Sequence, residues 1–335
     1  YTKWQQSGSD DMTTAFGKPV AGDDALAMRR VTTIGECMVE LAPEQQAGLF
    51  QQGFAGDTFN TLWYLKSLRP DWTARYFTRV GDDAISAQML EMMVNAGIDV
   101  DHIARDPLRS VGLYLISLNQ GERSFTYWRN QSAARQLGAD RAALERAVEG
   151  MDLIYLSGIT LGILDDAGRA ALLDVLRQAR AAGATVAFDS NLRVRLWPSE
   201  DAMCAAIMQA AAVSDIALPS YDDEADFFGD ADPQATIDRY LRAGAGSVIV
   251  KNGAGSVHYN HFGATGVVIP KVQSEIVDTT SAGDSFNAGF FAELGRSGDV
   301  EAAIRLACEV AHQVIARRGA LVPLDLGKLS LGASV

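Results

Sequence analysis

Positive charge is in short supply in this 335-residue chain, where 29 Lys and Arg stand against 42 Asp and Glu, a formal net charge of −13 at pH 7. A field of that sign repels nucleic acid and anionic membrane surfaces, and neither is expected as a partner. It repels anionic small molecules too, so any such ligand has to be held by local cations and helix N-termini. Cysteine is equally scarce: Cys37, Cys204 and Cys308 are widely spaced and form no C-x-x-C pair, which suits reduced thiols in a cytoplasmic protein. No run of 18 apolar residues occurs, and the N-terminus carries no charged-then-apolar pattern before a cleavage site, so no membrane segment is expected. The chain also lacks a G-x-x-x-x-G-K-S/T loop and the H-R-D and D-F-G pair, which excludes P-loop and protein-kinase mechanisms as far as motifs can. Gly244-Ala245-Gly246 precedes a strand, and Gly253-Ala254-Gly255 leads into another strand. Neither opens a helix, so a dinucleotide-binding dehydrogenase is excluded on the same footing. His258 and His261 lie three apart with no supporting carboxylate or cysteine pattern, and Trp63, Tyr64 and Leu68 sit at helical spacing. The first pair reads as surface residues and the second set as packing residues.

What is present is an ordinary globular composition, 48% apolar and 21% charged, with ample material for a large core. Residues 1–29 are polar and without sustained periodicity, and read as an N-terminal extension. From Arg30 onward, short runs rich in Val, Ile, Phe and Tyr alternate with alanine-rich stretches of helical period. Strands are expected at Val31–Ile34, Arg75–Val80, Leu153–Ser157, Thr185–Asp189, Ile216–Leu218 and Ser247–Lys251. Helices are expected at Thr58–Ser67, Ala84–Ala96, Ala167–Ala182, Ala235–Ala243, Asp284–Leu294 and Val300–Ala316. This alternation implies an α/β fold with a mostly parallel sheet covered on both faces, whose ligands collect beyond the carboxyl ends of the strands. Residues 36–54 and 111–129 break the alternation. They contain strand-like runs with no helix between, and Asn119 to Arg123 reads as a hairpin turn, so the two regions are expected to form a small β lid.

The strongest chemical signal is Asp278-Thr279-Thr280-Ser281-Ala282-Gly283-Asp284-Ser285-Phe286-Asn287. Small residues from Ser281 to Gly283 let a ligand approach the backbone, and Phe286, Phe290 and Leu294 mark a helix starting there. The free N–H groups of such a start suit phosphate oxygens. Asp284 in the first turn is placed to accept a proton from an attacking hydroxyl, although helix-dipole complementation alone would also put an acid there. Phe54-Ala55-Gly56-Asp57-Thr58-Phe59-Asn60 forms an N-terminal counterpart in which Gly56 permits close approach and Asp57 doubles as a helix cap.

The D-T-T-x-A-G-D segment resembles the C-terminal signature of the ribokinase-like (phosphofructokinase B) carbohydrate kinases, with Ser281 in place of the usual Gly. Phe54 to Asn60 resembles the family's G-G-x-x-x-N sugar-binding segment. Four further stretches, at residues 34–41, 121–130, 155–159 and 189–197, are similar to the 2-keto-3-deoxygluconate kinases within that family, and the resemblance runs from about residue 31 to residue 323. It implies a ribokinase-like three-layer fold in a single kinase domain over residues 30–325, with residues 326–335 as a C-terminal tail. It implies Asp284 as catalytic base, with the amides of Ala282, Gly283 and Asp284 as anion hole. Gly56, Asp57, Asn60, Tyr114, Tyr127, Arg129 and Arg193 become the sugar contacts, the two arginines gripping a carboxylate. Arg195 remains an alternative to Arg193. Val250-Lys251-Asn252-Gly253-Ala254-Gly255-Ser256 resembles the family's K-x-G-x-x-G loop, which makes Lys251, Gly253, Gly255 and Ser256, together with Gly283, the nucleotide contacts. Glu224, in the place of the family's N-x-x-E glutamate, is expected to organise magnesium, unless it belongs to a solvated acidic face.

The implied activity is ATP- and Mg2+-dependent phosphorylation of a sugar acid at its 6-hydroxyl. The rivals are a kinase of a neutral sugar and a non-catalytic sugar-sensing module on the same fold. The partners are the sugar acid and ATP; the sequence is compatible with a homo-oligomer and leaves its size open.

Overall fold

The computed structural model describes residues 28–44, 46, 48–119, 122–271 and 276–331. Most of the N-terminal extension, part of the hairpin turn and the end of the tail lie outside the described residues. The strands are β1 (Arg30–Ile34), β2 (Met38–Pro43), β3 (Phe50–Ala55), β4 (Thr73–Phe77), β5 (Arg79–Gly81), β6 (Ala104–Asp106), β7 (Leu113–Asn119), β8 (Glu122–Trp128), β9 (Leu153–Ser157), β10 (Thr185–Asp189), β11 (Ile216–Ala217), β12 (Ser247–Val250), β13 (Val257–His261) and β14 (Ala264–Val268). The helices are α1 (Asp57–Leu68), α2 (Ala84–Asn95), α3 (Arg141–Val148), α4 (Gly158–Ile163), α5 (Asp166–Ala181), α6 (Glu200–Ala211), α7 (Tyr221–Phe228), α8 (Pro233–Ala243), α9 (Ala282–Ser297) and α10 (Val300–Ile315).

Eight strands form the main sheet in the order β14-β13-β12-β11-β10-β9-β1-β4. The six from β12 to β4 are parallel, and β13 and β14 turn back antiparallel at one edge. Every residue of β9 and β12 is buried, which is why these strands read as unbroken apolar runs. On one face, Phe59, Leu62, Phe290, Phe291 and Val310 of α1, α9 and α10 form one core. On the other face, Leu144, Leu172, Leu176, Met203, Ile207 and Tyr240 of α3, α5, α6 and α8 form a second. Tyr64 lies in the first core, where its hydroxyl donates to the Ala320 carbonyl at 2.8 Å. The result is three layers, helix–sheet–helix.

Local chemistry sets the helix boundaries. At α8, Asp232 accepts from the Ala235 amide at 2.8 Å, Pro233 fills the first turn, and Gly244 closes the helix at φ +118°. The strand expected across Arg75–Val80 is two strands instead. β4 runs beside β1, whereas β5 leaves the sheet to pair with β6. Lys251 lies one residue past β12 and meets Ser220 in an isolated bridge.

The lid is a second sheet of order β3-β2-β7-β8, with β7 and β8 pairing as a hairpin from Leu113↔Trp128 to Asn119↔Glu122. Its strands fall within the two regions that broke the strand–helix alternation. Glu40 is level with Tyr114 across β2 and β7, and Tyr114 is level with Tyr127 across β7 and β8. One lid face therefore carries Met38, Tyr114 and Tyr127 toward the carboxyl ends of the main strands. Among the described residues no helix is long and apolar enough to cross a membrane.

At the carboxyl end of β9, α4 starts so close to the backbone after β10 that a Cβ on Gly158 would overlap the Ser190 carbonyl. Gly158→Ala should therefore lower the unfolding free energy by about 1–3 kcal/mol, the usual cost of overpacking. A urea titration followed by circular dichroism measures this, and an unchanged midpoint would show that the contact relaxes freely.

Candidate active site

A cavity of about 460 Å3 opens between the lid and the carboxyl ends of the main strands, a size that suits a small-molecule site. Two helix starts define its floor. The first is α1, which begins at Asp57 behind Gly56. A Cβ on Gly56 would overlap the Glu36 carbonyl, so only glycine lets α1 start this close to the lid. The second is α9, where Ser281 adopts the left-handed conformation at φ 60°, ψ 16°. That conformation explains why a Gly is the family's usual choice there.

Side chains of α1 tie the two starts together. Asn60 Nδ2 donates to Ser281 Oγ at 2.9 Å and to Asp284 Oδ2 at 2.9 Å. Thr61 Oγ1 donates to the Asp284 carbonyl at 3.2 Å. In the first turn of α9, the Ala282 amide donates to the Thr279 carbonyl at 3.2 Å and the Ser285 amide to the Ser281 carbonyl at 2.9 Å. The amides of Gly283 and Asp284 between them have no acceptor among the described residues, as expected for the first turn of a helix. A Cβ on Gly283 would meet nothing within 4 Å except Lys251 Nζ at 3.6 Å, so this backbone faces open space. Of the three amides expected to form an anion hole, those of Gly283 and Asp284 are without an acceptor among the described residues, while that of Ala282 is turned to Thr279.

Asp284 is pushed up to about 7, first by its removal from water and next by the charge of Asp57; hydrogen bonds from Asn60 and Ser281 oppose the shift. Asp57 is raised as well, chiefly by burial. Hydrogen bonds from Ser157, the Thr58 amide and Asn191 hold it down, with Asn191 Nδ2 2.8 Å from Asp57 Oδ2. A carboxyl raised toward neutrality in this way can take up a proton there, which fits Asp284 to act as a base.

A third carboxylate was not singled out as a site residue from sequence. Asp189, the last residue of β10, accepts from Lys251 Nζ at 2.6 Å and from Asn287 Nδ2 at 2.6 Å, and Asn287 Nδ2 also reaches the Tyr155 hydroxyl at 3.0 Å. The usable signal was its place at the carboxyl end of a buried strand, where ligand-facing groups gather.

Tyr114, Tyr127, Arg129 and Arg193 all line the cavity. Their donors are differently committed. The Tyr114 hydroxyl donates to Glu40, and burial followed by that carboxylate pushes the phenol far above its ordinary range. Arg129, 7% exposed, is ion-paired with Glu36, 1% exposed, which also accepts from Ser132 Oγ. The grip expected of Arg129 is therefore qualified, because its charge already has a counter-ion in Glu36, although its Nε has no hydrogen-bond partner among the described residues. Arg193 is different. Its side chain is 53% exposed, donates to the Leu192 carbonyl at 2.7 Å and lies 3.7 Å from Asp223.

The nucleotide loop divides. Lys251 lines the cavity, whereas Gly253, Gly255 and Ser256 form the turn between β12 and β13 and do not. The expectation for Glu224 needs correcting more sharply. It is fully buried, with Oε1 accepting from Ser190 at 2.6 Å and Tyr240 at 3.0 Å, and Oε2 accepting from Arg239 at 2.7 Å. Both oxygens are occupied, so Glu224 anchors Arg239 rather than presenting a ligand face. Among the described residues no cluster of three or more His, Cys, Asp or Glu is arranged to hold a metal ion.

Comparison with known proteins gives the family and the fold. The family model described as "pfkB family carbohydrate kinase" matches residues 28–326. The 2-dehydro-3-deoxygluconokinase of Dickeya dadantii is 37% identical over 308 residues, covering 90% of this chain and 99% of the relative. A PfkB protein from Polaromonas, solved by crystallography, superposes with a TM-score of 0.77 at 25% identity over 89% of this chain and 99% of that one. The crystal structure of a fructokinase from Xylella fastidiosa with bound ATP shares the fold with a TM-score of 0.74 at 23% identity, covering 88% of this chain and 94% of that one. The chain belongs to the pfkB family of carbohydrate kinases.

Proposed function

We propose that the protein transfers the γ-phosphoryl group of ATP to the 6-hydroxyl of 2-keto-3-deoxygluconate, giving 2-keto-3-deoxy-6-phosphogluconate. The observation that carries the reading is Asp284 in the first turn of α9, raised to about 7 beside two amides without acceptors. A base is most effective when its pKa lies near the working pH, and amides at a helix start meet the charge of a transferring phosphoryl group without reorganising. Asp284 accepts the hydroxyl proton while the Gly283 and Asp284 amides hold the phosphoryl oxygens. Asp57 and Asn60 orient the sugar hydroxyls, and the lid tyrosines close over them. Excluding water in this way favours transfer to the sugar over hydrolysis. Arg193, half-exposed at the mouth, offers a planar fork to the substrate carboxylate, and Arg129 supports that end of the cleft.

The free amides and open backbone at the α9 start fit a triphosphate. Magnesium, which is usually held through one or two carboxylates plus phosphate oxygens, would arrive with the nucleotide, because the described residues supply no cage of their own. It supplies neutralisation of phosphate charge when bound. The reading favours a sugar acid over a neutral sugar because the 37% identical relative is a 2-dehydro-3-deoxygluconokinase and the cleft mouth carries a half-exposed arginine.

Three outcomes follow. Asp284→Asn should lower kcat by roughly 10² to 10⁴ with nucleotide affinity little changed, and wild-type kcat/KM should fall as pH drops through about 7, where Asp284 protonates. The stability sign runs the other way. A carboxyl raised from its ordinary value to about 7 favours the folded state below the ordinary value, and that contribution is lost as pH rises through 7. Asp284→Asn should therefore raise the melting temperature relative to wild type at pH 8 more than at pH 5, and an equal effect at both would contradict a raised pKa.

Gly283→Val places a branched side chain where the phosphoryl group docks, and should abolish turnover while the variant melts close to wild type. Full activity in a normally folded variant would remove the anion hole from the mechanism. Substrate choice is tested by a panel of sugar acids and neutral sugars with ATP. The acid should be preferred, and Arg193→Ala should cut kcat/KM for the acid about ten- to hundredfold more than for fructose or ribose. Wild-type preference for the neutral sugar, with a ratio indifferent to Arg193→Ala, would overturn the substrate assignment.

A further inference from the structure

Ser281 stands where the family usually has glycine, and it keeps a side chain against the preference of its backbone. That backbone is left-handed, at φ 60° and ψ 16°, a conformation that crowds the Cβ of any residue but glycine. A serine just before a helix ordinarily caps it, its hydroxyl accepting from an amide of the first turn. Ser281 makes no such bond. Its hydroxyl is used elsewhere. Asn60, 4% exposed, gives one Nδ2 hydrogen to Ser281 Oγ at 2.9 Å and the other to Asp284 Oδ2 at 2.9 Å, while its Oδ1 accepts from the Gly56 amide at 3.2 Å. A carboxamide nitrogen only donates, so the hydrogen on Ser281 Oγ needs a different acceptor. That acceptor is the Asp284 carboxyl. The three side chains close a ring in which Asp284 receives two donors and Asn60 fixes the serine that supplies one of them.

The charges around this ring leave it a task. Asp57 of α1 and Asp189 of β10 both oppose ionisation of Asp284. Lys251, whose Nζ lies 3.6 Å from where a Cβ on Gly283 would stand, donates to Asp189 at 2.6 Å. The Tyr64 and Tyr155 phenols feel the charge of Asp284 from α1 and β9. Asp278, ahead of α9, accepts from Thr280 and the Gly319 amide. Arg129 is paired with Glu36, and Arg193 lies beside Asp223. A neutral donor aimed at Asp284 therefore matters, because a hydrogen bond to the charged form favours that form.

We propose that Ser281 is a positioning residue for the phosphoryl transfer, its hydroxyl fixed by Asn60 and donating to Asp284 so that this carboxylate stays ionised and turned to receive the acceptor's proton. This rests on the phosphoryl-transfer reading above. In the transfer the sugar oxygen bonds to the γ-phosphorus, and the bond from phosphorus to the β–γ bridging oxygen breaks with its electron pair leaving on ADP. The sugar hydroxyl proton goes to Asp284, and Ser281 keeps its own proton throughout. A glycine at this position would relieve the left-handed strain and lose the donor, so strain and function are set against each other in one residue.

The test is the pH profile of kcat/KM from about pH 5 to 9 for wild type, Ser281→Ala and Ser281→Gly, with a carbon-13 titration of Asp284 in each unliganded protein. Asp284 lies at about 7 in wild type. Loss of one hydrogen bond to a charged group should raise its midpoint, and the acid limb of the profile, by roughly one pH unit in both variants. The ionised share at pH 7 then falls from about a half to about a tenth, so kcat/KM should drop about fivefold there and recover to within about twofold at pH 9. A loss by the same factor at every pH would overturn the proposal in favour of a purely structural hydroxyl. A shift in Ser281→Gly alone would overturn it as well, because the freed backbone and not the missing hydroxyl would then be the cause. An unmoved Asp284 midpoint in both variants, with wild type still phosphorylating a sugar acid, would overturn it while leaving the phosphoryl-transfer reading intact. If wild type turned over no sugar acid at all, that reading would fail and the proposal with it.

Discussion

The site depends on one arrangement: two helices start at the same place and are tied together by side chains of the first. Asn60 and Thr61 of α1 reach Ser281 and Asp284 at the start of α9. This clamp holds the starts of α1 and α9 in fixed relation, and positioning is most of what phosphoryl transfer asks of a protein. The packing behind it is consistent with such rigidity. Residues 286–294 of α9 are buried throughout, in the core that α1 and α10 share. The lid is a separate sheet with a small core of its own built on Met38, Tyr114 and Ile116.

The second theme is how a chain of charge −13 prepares a place for anions. Most of the cleft's charges are already met by opposite charges or by amides. Arg129 faces Glu36, Lys251 faces Asp189, and Asp57 faces Asn191. Asp284, like Asp57, meets only neutral donors among the described residues, here Asn60 and Ser281, and its removal from water, followed by the charge of Asp57, raises its pKa. A site that isolates one carboxyl in this way gains a base near neutrality at some expense in stability, as functional sites commonly do.

Much of this was legible in the sequence. The parallel sheet showed in its unbroken apolar strands, the lid in the two regions without helices, and the start of α9 in Ser281, Ala282 and Gly283 followed by spaced aromatics. The misses have physical causes. Short helices such as α4 and α7 have too few turns to show a period. The split between β4 and β5 depends on a partner strand far along the chain. Pairings such as Asp189 with Lys251 and Glu224 with Arg239 join residues separated by 62 and 15 positions, and no local pattern records which acid takes which base. Motif position placed Glu224 among the site residues, and only its three partners, Ser190, Arg239 and Tyr240, show that its oxygens are occupied. Arg129 and Arg193 were both expected to grip a carboxylate, and they differ in burial: Arg129 is enclosed against Glu36, whereas the Arg193 side chain is half-exposed beside Asp223.

The central claim is that Asp284 is a base poised near neutrality by enclosure beside Asp57. A carbon-13 titration of the aspartate carboxyl resonances in the unliganded protein tests it most directly, with Asp284→Asn providing the assignment. One resonance, absent from the variant, should titrate with a midpoint of about 7. If the Asp284 signal instead moves with the ordinary aspartates near 4, the carboxyl is neither desolvated nor coupled as described, and the account of the site is wrong at its centre.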